Sequence, residues 1–270
     1  GGSGPYQMRD VVIKKNHKLK TPYGQPSDEI IEVDHDGKSF YFLPRHGRGH
    51  KLTPSEVNYR ANIFALKKLG VDKIVSVSAV GSLRDELPPG TFFLPDQFID
   101  WTKGVRKRTF FGEGIVGHVS VAHPVSSKLQ TLLEKALMNE KIHYKKEGSY
   151  ICIEGPQFSS KAESEIYRSF GASVVGMTNV PEAYLAKEAG MAYATVAMVT
   201  DYDCWRDEHC TLEEIIKVMT ENTKRGQKLI LNFMEKFENF QVEKENQNAI
   251  ISKQEDLSKE QKETLETLLA

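Results

Sequence analysis

Apolar positions along this chain follow two periods. Between residues 11 and 43 they come in short runs broken by turn residues, at Lys20-Thr21-Pro22-Tyr23-Gly24 and His35-Asp36-Gly37-Lys38. Ile30 to Val33 and Phe40 to Leu43 flank the second break, which predicts a hairpin. A helical period follows. Thr53-Pro54-Ser55-Glu56 has the form of a capped helix start, and Val57, Ala61, Phe64, Ala65 and Leu69 supply one apolar face up to Gly70. Residues 71 to 80 are nearly continuously apolar, as a strand covered on both faces would be. The alternation then repeats. Short strands are expected at Phe92 to Leu94, Phe98-Ile99, Tyr150 to Ile153 and Ser173 to Met177, and helices at Ser126 to Asn139, after Ser160 and after Asn179. Ser160 with Glu163, Asn179 with Glu182, and Thr211 with Glu214 read as caps. The last long helix carries Leu212, Ile215, Ile216, Met219, Leu229, Ile230 and Phe233. Strands alternating with helices predict an α/β layered fold, and the early hairpin with short middle strands makes its sheet mixed.

Two segments break the pattern. Residues 102 to 117 combine Lys103, Arg106, Lys107 and Arg108 with Phe110, Phe111 and three glycines, and read as a mobile surface loop, a lid or an interface. From about Glu238 the chain turns rich in Glu, Lys, Gln and Asn. The division is therefore a single domain over 1–237 and a polar tail over 238–270. Ser258 to Leu269 forms a short helix in that tail, with Leu265, Leu268 and Leu269 on its apolar side.

Composition narrows the class. The 270 residues are 39% hydrophobic and 27% charged, with 36 basic against 37 acidic side chains. A formal charge of -1 gives no electrostatic footprint for nucleic acid and implies no affinity for anionic membranes. Cys152, Cys204 and Cys210 are too few and too scattered for a disulfide framework or a zinc site. No apolar run approaches a membrane span and no secretory leader is read, so a cytoplasmic protein is expected.

The candidate chemistry sits at strand ends. Ala192 to Trp205 opens as a buried strand and ends in Thr200, Asp201 and Asp203. Period 2 puts both carboxylates on one side if the strand persists, facing a cation, an amine or a base edge. The alternative is a solvent-facing end in which Asp203 makes an Asx-turn. Pro44-Arg45-His46-Gly47-Arg48-Gly49-His50 follows another strand, and arginine suits bidentate recognition of phosphate or carboxylate. Gly1-Gly2-Ser3-Gly4 reads either as a nest of amides for an anion or as a flexible linker.

These clusters can be set beside Ser78-Ala79-Val80-Gly81-Ser82, Ile153-Glu154-Gly155-Pro156-Gln157-Phe158 and Met177-Thr178-Asn179-Val180-Pro181-Glu182. In this order and spacing the chain closely resembles the trimeric purine nucleoside phosphorylase family, in the branch that acts on 5'-methylthioadenosine, over about residues 1–236. The resemblance implies a three-layer α/β fold with a central mixed, partly barrel-like sheet flanked by helices. It implies phosphorolysis of the nucleoside with inorganic phosphate as co-substrate, no metal or organic cofactor, and a homotrimer with sites near subunit interfaces. It also implies that Gly1 to Gly4 are a native phosphate loop led into by a strand.

Residue by residue, Ser3, Arg45, His46, Ser78, Ala79 and Thr178 match phosphate contacts, and Met177 matches a residue beneath the sugar. The adenosine-type relatives more often carry Thr where Ser3 and Ser78 stand. Phe158 and Ser159 match the wall of the base pocket, and Asp201 and Asp203 the readers of adenine. Asp201 is expected to protonate N7 or to orient its donor, and Asp203 to orient Asp201 or to receive the 6-amino group. Relatives that cleave inosine and guanosine carry Asn and Glu in the base pocket, where this chain has Asp201 and Ser159. His118 matches a histidine that the neighbouring subunit brings to the 5' end. Leu212, Ile215 and Ile216 are the expected apolar wall for the methylthio group, with Leu268 or Leu269 as a contact in the neighbour's site. A phosphorylase of wider nucleoside range, a hydrolase, and a silent binding protein on the same fold are the alternatives.

Overall fold

The computed structural model describes Gly1, residues 11–206 and residues 212–270. In chain order the elements are β1 (Val12–His17), β2 (Ile30–His35), β3 (Lys38–Phe42), α1 (Tyr59–Lys68), β4 (Lys73–Ser82), β5 (Phe92–Leu94) and β6 (Gln97–Trp101). These are followed by α2 (Ser127–Asn139), β7 (Tyr144–Lys146), β8 (Ser149–Ile153), α3 (Lys161–Ser169), β9 (Ala172–Gly176), α4 (Asn179–Glu188), β10 (Ala192–Asp201), α5 (Leu212–Glu235) and α6 (Lys259–Leu269).

Among the described residues the strands form two sheets. The expected hairpin is β2 and β3, joined antiparallel across Asp36-Gly37, and β1 adds to it as a third strand. The larger sheet has seven strands in the order β6-β8-β9-β4-β10-β5-β7. It is mixed: β4 runs parallel to β10, while β5 runs antiparallel to β10 and β9 antiparallel to the end of β4. The order also closes on itself. Only Pro95 and Asp96 separate β5 from β6, and only Glu147 and Gly148 separate β7 from β8. β5 pairs parallel with β7 and β6 with β8, so two bent strands serve both ends of the sheet and curl it toward a barrel. Gly148 makes one bend possible. Its φ is +127°, and a Cβ there would stand 2.5 Å from Ser173 Oγ.

Helices cover both faces. Phe64, Ala65 and Leu66 of α1 pack with Ala183, Leu185 and Ala186 of α4 against Val80, Tyr193 and Val199. On the opposite side Leu129, Leu133 and Leu137 of α2 meet Leu229 and Phe233 of α5 over Ala194, Val196 and Met198. The central strand β10 is buried at every position from Ala192 to Val199, as its apolar run requires.

Four local expectations are corrected. The helix after Thr53 starts later: Thr53 does bond Glu56 (2.8 and 2.7 Å), but this closes only a turn, and Asn58 caps α1 by accepting from Ala61 N. Asn179 and Glu182 do not cap α4; both side chains turn into the core instead. The stretch 102–117 is anchored rather than loose, because Arg106 is 5% exposed and fully bonded. Leu268 is fully buried in its own chain, in the cluster shared with α1 and α4, which removes it as a reach into a neighbour. Asn246 helps to hold the last turn of α6 there, donating to Glu188 O at 2.9 Å and Leu268 O at 3.0 Å. The cap at Thr211 lies outside the described residues.

Candidate functional site

A cavity of about 640 Å³ opens at the C-terminal ends of β4 and β10. The two strands pair in register up to Val80 and Val199, then slip by one residue so that Asp201 faces Gly81. Such a bulge re-aims the side chain that follows it. Asp201 is then held from both sides: Thr200 Oγ1 donates to Oδ1 at 2.6 Å and the Asp203 N–H donates to Oδ2 at 2.9 Å. Strand geometry does not persist to Asp203, whose φ is +51°. An Asx-turn therefore brings the two carboxylates together, and its side chain is that of Asp201, not Asp203. Burial pushes the Asp203 carboxyl above its usual range; the Ser164 hydroxyl opposes this and the charge of Asp201 adds to it. Cys204 beside them is half-buried and donates to Ser159 O at 3.2 Å. Burial and the Asp203 charge raise its pKa, which disfavours the thiolate.

The opposite end of the cavity is built from Arg45, His46 and hydroxyls. Arg45 leaves β3 and is buried, with Nε 2.6 Å from Glu182 Oε2 and Nη2 2.8 Å from Glu182 Oε1. Nη2 also bonds Ser76, and Tyr193 donates to Glu182 Oε1 at 2.9 Å. Asn179 in turn donates to the Tyr193 hydroxyl at 3.0 Å. Burial opposes charge on Glu182, and the Arg45 guanidinium more than reverses this, leaving the carboxyl below its usual range. Among the described residues Nη1 of Arg45 has no hydrogen-bond partner, although the residue lines the cavity. His46 donates from Nδ1 to Leu52 O at 2.8 Å and stacks on His50 with centroids 4.3 Å apart. Burial, then the charge of Arg45 against a bond to Leu52, lowers its pKa to about 4, so at neutral pH its Nε2 presents a lone pair. Ser78 Oγ lies 3.2 Å from Thr178 Oγ1, and both hydroxyls gather around buried Tyr150.

Between the two ends run Met177 and one face of α5. Ile215, Met219, Thr223, Gly226 and Ile230 all line the cavity, at spacings of three and four residues. Ile216 does not: it is 51% exposed on the adjoining face. Met219 and Ile230 stood in the apolar stripe of the sequence, and extending the stripe from Ile215 rather than Ile216 would have picked them out. Phe158 stands at the rim, 77% exposed, with Ser159 behind it. Ala79 lines the floor beside Ser78. His118 is exposed and lies outside this cavity, its N–H bonded to Ala249 O. Ser3 lies outside the described residues, as does the side chain of Leu212. Glu182 is the residue that sequence reasoning missed, because its position in a capping pattern gave it another job.

The chain belongs to the phosphorylase superfamily, whose family model matches residues 1–235. Relatives at about half identity within that family are named S-methyl-5'-thioadenosine phosphorylase. The enzyme of that name from Geobacter sulfurreducens is 50% identical over 234 residues, covering 86% of this chain and 82% of the relative. That from Hyperthermus butylicus is 52% identical over 233 residues, covering 85% and 84%. Among solved structures, a methylthioadenosine phosphorylase from an antarctic soil metagenomic library superposes with a TM-score of 0.94 at 45% identity, covering 100% of this chain and 97% of the other. The Schistosoma mansoni methylthioadenosine phosphorylase in complex with adenine gives 0.81 at 36% identity, covering 87% and 88%.

Proposed function

We propose that this chain cleaves S-methyl-5'-thioadenosine by phosphorolysis, yielding adenine and 5-methylthioribose 1-phosphate. The observation that carries the reading is the polarity of one cavity: an arginine, a histidine and two hydroxyls at one end, a carboxylate pair at the other. Phosphate binds at the first end, to Arg45, Ser78, the Ala79 amide and Thr178, with its own O–H donating to His46 Nε2 and with Ser3 completing the contacts. The purine lies against Phe158 and Ser159, its 6-amino group and N7 toward Asp201 and Asp203. A 6-amino group is a donor and suits carboxylates, whereas a 6-oxo group is an acceptor and does not.

A phosphate oxygen then forms a bond to the anomeric carbon as the bond to N9 breaks, and that bonding pair moves into the purine. The proton on N7 comes from the carboxylate pair, in which burial raises the proton affinity of Asp203. Asp201 faces the base, fixed by its two hydrogen bonds. The protein supplies position and field, and no covalent intermediate is required. The apolar face of α5 at Ile215 and Met219 takes the methylthio group.

The same reading takes inorganic phosphate as co-substrate with no cofactor. It makes the protein a cytoplasmic homotrimer that salvages purine and methionine precursors, its catalytic domain spanning 1–237. His118, exposed in its own chain, serves the neighbour's 5' pocket. Release of the free base from methylthioadenosine, adenosine and inosine (adenine from the first two, hypoxanthine from the third), each with and without phosphate, tests it. Phosphate-dependent release that is fastest from methylthioadenosine is expected. Fast inosine cleavage with little action on methylthioadenosine, or a rate indifferent to phosphate, overturns it.

A further inference from the structure

The two walls of the cavity leave neighbouring parallel strands, β8 and β9, whose pairing ends at Cys152 and Gly176, so among the described residues no ladder bond joins the walls beyond that point. Glu154 to Ser159 leaves the end of β8, and Met177 and Thr178 link β9 to α4, whose first turn holds Val180. One side chain spans both. Arg106 enters from the stretch after β6, and its guanidinium has five N–H donors. Nη1 donates to Met177 O and Val180 O, both at 2.7 Å. Nη2 donates to Glu154 O at 2.7 Å and Ile153 O at 3.2 Å, and Nε donates to Glu154 Oε1 at 2.8 Å. Every donor is used, four of them on backbone carbonyls split evenly between the walls. The carboxylate of Glu154 is itself held by Ser55 and by the Lys103 N–H at 2.8 Å. The walls also touch directly: Gly155 has a φ of +65°, and a Cβ there would stand 2.5 Å from Met177 Sδ.

We infer that Arg106 is a positioning residue for the reaction, setting the distance between the wall that carries Phe158 and Ser159 and the wall that carries Met177 and Thr178. The inference rests on the proposed phosphorolysis, in which the first wall holds the base and the second the sugar and phosphate. Lysine at this position is a point donor without the planar fork, and cannot bridge both pairs of carbonyls at once. A misplacement near 1 Å between reacting groups costs about a hundredfold in rate.

The test uses the full chain with methylthioadenosine and phosphate. Arg106→Lys is expected to lower kcat at least about tenfold, with KM changing less. Hydrogen exchange is expected to quicken in 150–160 and 175–182 together, with α2 unchanged. In Arg106→Ala, guanidinium below denaturing concentration is expected to restore turnover, while sodium at the same ionic strength does not. A folded Arg106→Lys enzyme within about twofold of the parent overturns the inference. So does the unfolding of both variants, which would make Arg106 a residue of the fold alone, and so does the failure of guanidinium to rescue a folded Arg106→Ala. If the parent itself releases no adenine, the functional reading has failed, and the exchange measurement decides for Arg106: no joint change in the two segments overturns it.

Discussion

Glu182→Gln isolates the buried pair behind the phosphate end. Arg45 and Glu182 have side chains only 5% and 9% exposed, and they meet through two bonds of 2.6 and 2.8 Å. Glutamine keeps one carbonyl oxygen for Nη2 and for Tyr193. Its amide nitrogen, however, meets Arg45 Nε donor against donor, and the guanidinium is left buried without a counter-charge. Breaking such a pair from one side costs about 3–5 kcal/mol. With a urea m-value of about 3 kcal/mol/M for a chain of this size, the unfolding midpoint falls by about 1–1.7 M. The sign with pH follows from the depressed carboxyl. Stability from Glu182 is fully present above the ordinary glutamate range and is lost as pH falls through the lowered folded value, so the variant's acid limb is shallower than the parent's, keeping only the share of other depressed carboxylates such as Glu154. The double variant Arg45→Met with Glu182→Leu regains most of the stability, since an apolar replacement carries no desolvation cost, yet it does not bind phosphate. Urea titrations from pH 3 to pH 8 and phosphate KM measure all of this. A Glu182→Gln protein that loses less than about 1 kcal/mol, or that keeps the parent's acid limb, refutes the argument.

Asp201→Asn and Asp203→Asn each lower kcat by about 10²–10⁴ while phosphate still protects the fold, read by adenine release and by thermal shift. The proton-bearing form of Asp203 is lost as pH rises through its raised value, so Asp203→Asn removes that descending limb from the pH profile of kcat/KM. Met219→Ala raises KM for methylthioadenosine about tenfold and for adenosine less, whereas Ile216→Ala, on the exposed face, changes either by under about twofold. Equal effects at the two positions would displace the 5' pocket from this face of α5. Gly176→Ala puts a methyl into the Tyr150 hydroxyl and lowers stability by about 1–3 kcal/mol in the same urea assay.

What could be read from the chain was whatever depends on neighbours in sequence. Continuous apolar runs located β4 and β10, and the period of α2 and the capping box at Ser160 and Glu163 were read correctly. The turn at Asp36-Gly37 marked its hairpin. Boundaries failed where two local signals competed. Thr53 to Glu56 satisfies a capping pattern, but Asn58 captures the first free N–H of the helix, and the earlier bonds close only a turn. The curl of the sheet was not legible from the residues, because it depends on β5 with β6 and β7 with β8 each being one strand bent over two residues.

The site divides along the same line, and the division explains which residues were misjudged. Asp201 and Arg45 stand at or just beyond strand ends and Ser78 stands within β4, where a side chain can be placed from its own element. Glu182 and Arg106 are charged residues whose roles are set by partners 137 and 47 to 74 positions away. From sequence alone, a glutamate three residues after an asparagine is a cap and an arginine among lysines and glycines is a surface charge. Burial reverses both readings, since a guanidinium leaves water only when its donors are met. Arg45 meets that condition with one carboxylate and a serine hydroxyl, and among the described residues its Nη1 is still open to a ligand. Arg106 meets it with four carbonyls and a carboxylate, and has no donor to spare. Two buried arginines beside one cavity therefore do different work: the first offers charge to an anion, and the second can act only by holding the walls in place.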